Sequence, residues 1–174
     1  MRPWMTISLV ASIVLLASLA WAHWPRDPLD SRYPVTGVVV LKAERELILY
    51  SGDRQLKIYK VALGRSPVGQ KEREGDKKTP EGEYVISGHN PNSPCHLSLH
   101  VSYPTPQQTA LAQKGGLNPG GDIMIHGIKR GFGWIGKFHI FMDWTAGCIA
   151  VTNEEIEEIY RSVPDGTKVT IRAN

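Results

Sequence analysis

Two cysteines and six histidines are the residues in this chain best equipped for covalent chemistry, and their neighbours separate them. Cys148 lies in Asp143-Trp-Thr-Ala-Gly-Cys-Ile-Ala150, directly after Gly147. A thiol attacks a carbonyl well only as thiolate, so a catalytic cysteine needs a base within reach and N–H donors for the oxyanion its attack creates. Gly147 lets the chain approach a substrate closely, and the amides from Ala146 to Cys148 could point at one oxyanion. On these positions alone, a nucleophile and a tight turn with a small buried residue are equally good readings. His126 offers the base. It follows the run Asp122-Ile-Met-Ile125, precedes Gly127 and lies 22 residues before Cys148, with Gly131-Phe-Gly-Trp134 between them to loop the chain out and back. His139, nine residues before Cys148, is a competing base.

The other candidates carry weaker contexts. Cys95 follows the loop signature Asn90-Pro-Asn-Ser-Pro94 and has neither base nor glycine beside it, so its reactive use is a disulfide with Cys148 in an oxidising compartment or none. His96 and His100 would share a metal on a helix. On a strand, four residues span roughly 13 Å, whereas zinc holds its ligands at about 2 Å. No metal or organic cofactor is expected. Phe132, Trp134, Phe138, Phe141 and Trp144 are either core or a wall over the cleft.

The elements that must position Cys148 and His126 are mostly strands. Val35 to Lys42, Glu46 to Tyr50 and Gln55 to Leu63 are rich in branched residues, with Ser51-Gly-Asp-Arg54 as a hairpin turn. Glu83 to Gly88 and His96 to Ser102 follow, the latter alternating Leu97, Leu99 and Val101 with His96, Ser98 and His100. Asp122 to His126, Cys148 to Val151 and Lys168 to Arg172 complete the strands. Thr105-Pro106 opens a short helix that Gly115-Gly116 stops, and Thr152-Asn-Glu-Glu155 is a capping box for a second, with Ile156, Ile159, Tyr160 and Val163 on its buried face. The pattern predicts a mainly β, sandwich-like domain with two short helices.

The chain has 174 residues, enough for one domain with its own core. Residues 1–22 carry Arg2 ahead of an apolar run from Ile7 to Ala20 and end in Ala20-Trp21-Ala22, the layout of a signal peptide cleaved after Ala22 or of an uncleaved anchor using residues 4–22. Residues 23–34 form a proline-rich connector and residues 35–174 the folded domain. Without the leader, 20 basic and 17 acidic residues become 19 and 17, a net of +2. The charges interleave, as in Lys71-Glu-Arg-Glu-Gly-Asp-Lys-Lys78, leaving no single-sign stripe for a phosphate backbone; no nucleic-acid partner is expected.

Taken in order, three motifs resemble the L,D-transpeptidase catalytic-domain family of bacterial cell-wall enzymes. Thr79-Pro-Glu-Gly82 resembles its Thr-Pro-x-Gly element, Ile125-His126-Gly127 its His-Gly strand, and Trp144-Thr-Ala-Gly-Cys-Ile149 its nucleophile motif. The resemblance spans about Val35 to Arg172. It implies that Cys148 accepts the acyl group, that His126 is its base, and that the Gly147 and Cys148 amides hold the oxyanion. Thr145, Gly127 and Trp144 are then candidate substrate contacts. The implied partners are peptidoglycan stem peptides, with a wall-linked protein as a further possibility, in the periplasm or cell envelope. Ala146 and Ala150 stand where many members carry His and Arg. The Trp-Thr-x-Gly-Cys-Ile-Ala form with Asn153-Glu-Glu155 looks most like a subgroup that includes hydrolases of peptidoglycan-to-protein crosslinks. A wall-binding module with a decayed site is the alternative from another class.

Overall fold

The computed structural model describes residues 3–25 and 27–174, with side chains of the first helix described from Ile7 onward; Arg2, Arg26 and the Trp4 side chain lie outside the description. Helix α1 spans Pro3–Ala22. Its residues from Ile7 to Leu16, apolar but for Ser8 and Ser12, are exposed. Among the described residues no helix is long and apolar enough to cross a membrane.

Eight strands follow: β1 (Gly37–Leu41), β2 (Glu46–Ser51), β3 (Arg54–Lys60), β4 (Gly82–Asn90), β5 (Ser98–Val101), β6 (Met124–His126), β7 (Ile149–Ala150) and β8 (Lys168–Arg172). They form one sheet in the order β3-β2-β1-β8-β4-β5-β6-β7. This corrects the sandwich expected from alternation. Strand β4 is long enough to serve two neighbours, pairing β8 through Gly82–Val85 and β5 through Ile86–Asn90, so what would be two stacked sheets is one continuous sheet. The ends then approach each other. Beyond β3 the chain bridges Ala62 to Ala150 and Gly64 to Thr145, curling the sheet into a half-barrel.

Both expected helices form. Helix α2 (Pro106–Lys114) starts with a Thr105–Gln108 capping box, and α3 (Asn153–Ser162) with one between Thr152 and Glu155. Ile156 and Ile159 of α3 join the core with Val40, Leu47, Tyr59, Leu99, Ile125 and Ile149. The fold is therefore mixed α/β. A 3-10 segment, Gly133–Phe141, kinks at Gly136 and carries much of the aromatic cluster. It receives the end of α1: Trp21 packs on Phe138 and Phe141, and Lys137 Nζ donates to the Trp24 carbonyl at 2.7 Å.

Candidate active site

Register places the reactive side chains. Strands β5, β6 and β7 lie side by side, pairing Leu99 with Ile125 and Ile125 with Ile149, all three fully buried in the core. Side chains alternate across a strand, so the neighbours of these residues share the opposite face. Ser98, His126 and Ala150 make one row there. His100 and Met124 make the next, and Cys148, one residue before Ile149, falls beside Met124. Cys148 and His126 are therefore diagonal neighbours on one face, a separation of roughly 7–8 Å between such positions.

The imidazole is oriented by the main chain. His126 Nδ1 lies 2.6 Å from the Gly127 carbonyl oxygen. A carbonyl can only accept, so Nδ1 carries the proton and Nε2 keeps its lone pair. Burial lowers the His126 pKa below the ordinary histidine value, against the opposing pull of the Gly127 carbonyl, which keeps the ring neutral. Trp144 sets its ring edge-on to the imidazole, with centroids 5.6 Å apart.

The half-buried Cys148 thiol donates to the Asp122 carbonyl at 3.4 Å. Burial pushes its pKa up to about 11, partly offset by a hydrogen bond from the Met124 amide. Both shifts favour the neutral forms, thiol and imidazole. Among the described residues the thiol's bond runs to Asp122 rather than to His126, a common condition of catalytic pairs without substrate. Cys95 is also a free thiol.

The nucleophile turn is fastened by polar side chains, and several expected contacts lie inside it. Thr145 is buried; its hydroxyl donates to the Cys148 carbonyl at 2.7 Å and accepts from the Gly147 amide at 3.1 Å. Thr145 therefore shapes the turn, and the Gly147 N–H is engaged within the protein. Gly147 has φ +139, and a Cβ there would lie 2.7 Å from the Lys78 carbonyl oxygen, so the loop before β4 packs directly on the turn. Gly127 is equally confined: a Cβ would meet Ile156 at 2.8 Å, so its contribution is the carbonyl that holds His126. Thr79, of the Thr-Pro-Glu-Gly element, is fully buried, its hydroxyl accepting from the Gly64 amide at 3.1 Å and its carbonyl from Lys42 Nζ at 2.9 Å.

The remaining histidines divide. His100 shares the face of Cys148 and His126, beside Met124. His96 precedes β5 at φ +69 and bonds Glu157 of α3 at 2.8 Å, so it leaves the polar strand face assigned by alternation. His139 is buried in the 3-10 segment, lining a cavity of about 310 Å³ with Ile128, Phe138 and Trp144.

Sequence reading missed Asp143 and Asn153. Asp143 Oδ1 accepts from the Leu63 amide at 2.9 Å and its carboxylate pairs with Arg45 at 2.8 Å, tying the start of the nucleophile segment to the end of the sheet. Asn153 Oδ1 accepts from the Ile128 amide at 2.9 Å. Neither partner is near in sequence, so no local pattern announces either bond. The departure at Ala150 also has a structural setting. Ala150 is fully buried and exchanges two backbone hydrogen bonds with Ala62, at 2.8 and 2.9 Å.

The curled sheet brings a cysteine and a histidine to one face, and sequence comparison identifies the family. Residues 35–171 match the YkuD family, the L,D-transpeptidase catalytic domain, and the chain belongs to that family. It is 29% identical over 132 residues to an Escherichia coli protein named "Putative L,D-transpeptidase YafK", covering 72% of this chain and 46% of that protein. It is 27% identical over 169 residues to "Putative L,D-transpeptidase YqjB" of Bacillus subtilis, covering 93% and 83%. Among solved structures it is similar to the helical cell shape determining protein Pgp2 of Campylobacter jejuni, with a TM-score of 0.60, 25% identity and coverage of 89% of this chain and 54% of that one. The chain thus spans about half the length of the Escherichia coli and Campylobacter relatives.

Proposed function

We propose that the protein is an exported cell-envelope cysteine acyltransferase of L,D-transpeptidase type acting on peptidoglycan stem peptides. The observation that carries this reading is the catalytic face itself, where Cys148 lies diagonal to His126 and the Nδ1 bond to Gly127 leaves Nε2 free to take a proton.

Rotation of Cys148 about χ1 would release Sγ from the Asp122 carbonyl toward the imidazole. His126 Nε2 takes the thiol proton as Sγ bonds to the carbonyl carbon between an L-centre and D-alanine. The oxyanion is held by the Cys148 amide, since the Gly147 amide is engaged by Thr145. Collapse breaks the C–N bond, the imidazolium proton goes to the departing amine, and a thioester remains. An incoming amine, giving a crosslink, or water, giving hydrolysis, loses its proton to His126 and restores the thiol. No step calls on a metal or an organic cofactor.

Intact-protein mass spectrometry with a carbapenem, an acylating agent for this family, tests the reading. A one-to-one adduct is expected, absent in Cys148→Ala. Folded, reduced protein without any adduct would favour a wall-binding module instead. Incubation with muropeptides then separates the acceptors: new crosslinks mean an amine, shortened stems or freed protein mean water.

A further inference from the structure

One peptide unit at the end of β6 is held from both sides. Its carbonyl, from Gly127, accepts the His126 Nδ1 proton at 2.6 Å. Its N–H, from Ile128, donates to Asn153 Oδ1 at 2.9 Å. The two groups of a trans peptide point in opposite directions from one plane, so a bond at the N–H end fixes where the carbonyl aims. It also polarises the amide, making the carbonyl a stronger acceptor for the imidazole.

Asn153 is itself rigidly placed. It is the first residue of α3, after the Thr152 N-cap, whose hydroxyl accepts from the Glu155 amide while the Glu155 carboxylate accepts from the Thr152 amide at 3.0 Å. Its carboxamide sits between two glycines. A Cβ on Gly127 would lie 2.9 Å from Oδ1, and one on Gly133 would lie 2.6 Å from Nδ2. Gly127 directly follows the histidine strand and Gly133 begins the 3-10 segment, so one side chain reaches both.

We infer that Asn153 is a positioning residue for His126, acting through the Gly127–Ile128 peptide to hold the imidazole in its Nδ1-protonated tautomer with Nε2 turned to Cys148. Asn153 does not touch substrate. A carboxylate at this position keeps the acceptor that the Ile128 amide requires, whereas alanine leaves that amide unpaired and the peptide plane free to turn.

The inference rests on the proposed Cys148–His126 pair, and its test separates the two. In full-length protein, ¹⁵N–¹H correlation of the His126 ring should report the Nδ1–H tautomer in the wild type. In Asn153→Ala the Nε2–H form should gain population, and the second-order rate of carbapenem acylation should fall by about tenfold or more, the scale of losses when partners that orient an imidazole are removed. Asn153→Asp should restore most of both. A folded Asn153→Ala protein with unchanged tautomer and acylation within twofold of wild type would overturn the inference. So would loss of acylation in Asn153→Ala alongside an unchanged tautomer, since a purely structural role predicts that pattern. Should wild type form no adduct, the acyltransfer reading fails, while the tautomer comparison still decides whether Asn153 sets the ring.

Discussion

Two cross-strand rows in the same sheet are built on opposite terms. Ile171, Val40, Leu47 and Tyr59 pair across β8, β1, β2 and β3, all essentially unexposed, and apolar burial holds them. Ser98, His126 and Ala150 pair across β5, β6 and β7 just as regularly. Yet β6 has three residues and β7 two, too few ladder bonds to fix a strand unaided. Side chains bonded to backbone supply the rest: Asp143 to Leu63, Thr145 within the turn, Thr79 to Gly64 and Asn153 to Ile128. The first row resists unfolding; the second places His126, with Cys148 in the row beside it.

That difference can be broken from either side. His126→Ala should reduce the acylation rate by about 100- to 10,000-fold, the usual worth of a positioned general base. Only a modest fall in melting temperature is expected, from loss of the buried ring and its bond to the Gly127 carbonyl, because no strand bond of β6 depends on the ring. His139→Ala, measured by the same mass-spectrometric time course, should leave the rate near wild type; the reverse pattern would reassign the base. Leu47→Ala should do the opposite. Removing that buried side chain costs about 2–5 kcal/mol, read by denaturant unfolding, with acylation preserved where the variant is folded.

Asp143→Ala lies between the rows and should move both readouts modestly. It leaves the Leu63 amide without its acceptor and Arg45 without its ion pair. The lost bond is worth roughly 1–3 kcal/mol, and the nucleophile turn should loosen enough to slow acylation. If stability falls while acylation is untouched, the staple belongs to the frame alone.

What could be read from sequence follows the same division. Alternation and the Ser51-Gly-Asp-Arg54 turn located β1 to β3, and the Thr105 and Thr152 boxes located both short helices, because each signal is local. Closure of the sheet through Ala62 and Gly64 was invisible, since bridges to Ala150 and Thr145 join segments more than 80 residues apart. The spacing of His126 and Cys148 allowed a common face. It could not reveal that Thr145 engages the Gly147 amide, because a hydroxyl two residues before a glycine reads equally well as a substrate contact. His96 left its strand face because a positive φ and Glu157 of α3 interrupt an otherwise clean alternation.

The smallest expected effect concerns the proton between the two reactive groups. With the thiol held up to about 11 and the imidazole held down, both by burial, the resting pair should be neutral and not thiolate–imidazolium. Ultraviolet titration, wild type minus Cys148→Ala, should therefore find no thiolate from Cys148 at pH 9. The signs for stability follow from proton binding. A histidine with lowered pKa binds fewer protons folded than unfolded, so its contribution is complete above the unfolded value near 6.5 and declines as the pH falls below it. A thiol with raised pKa keeps its proton folded after the unfolded chain has lost it, so stability should decline from the ordinary thiol range up toward 11. His126→Ala should remove the part of the decline that begins just below pH 6.5 and leave the alkaline one. A thiolate signal at neutral pH that disappears in His126→Ala would instead mean that the pair rests ionised, and that the catalytic face is wetter than its buried rows imply.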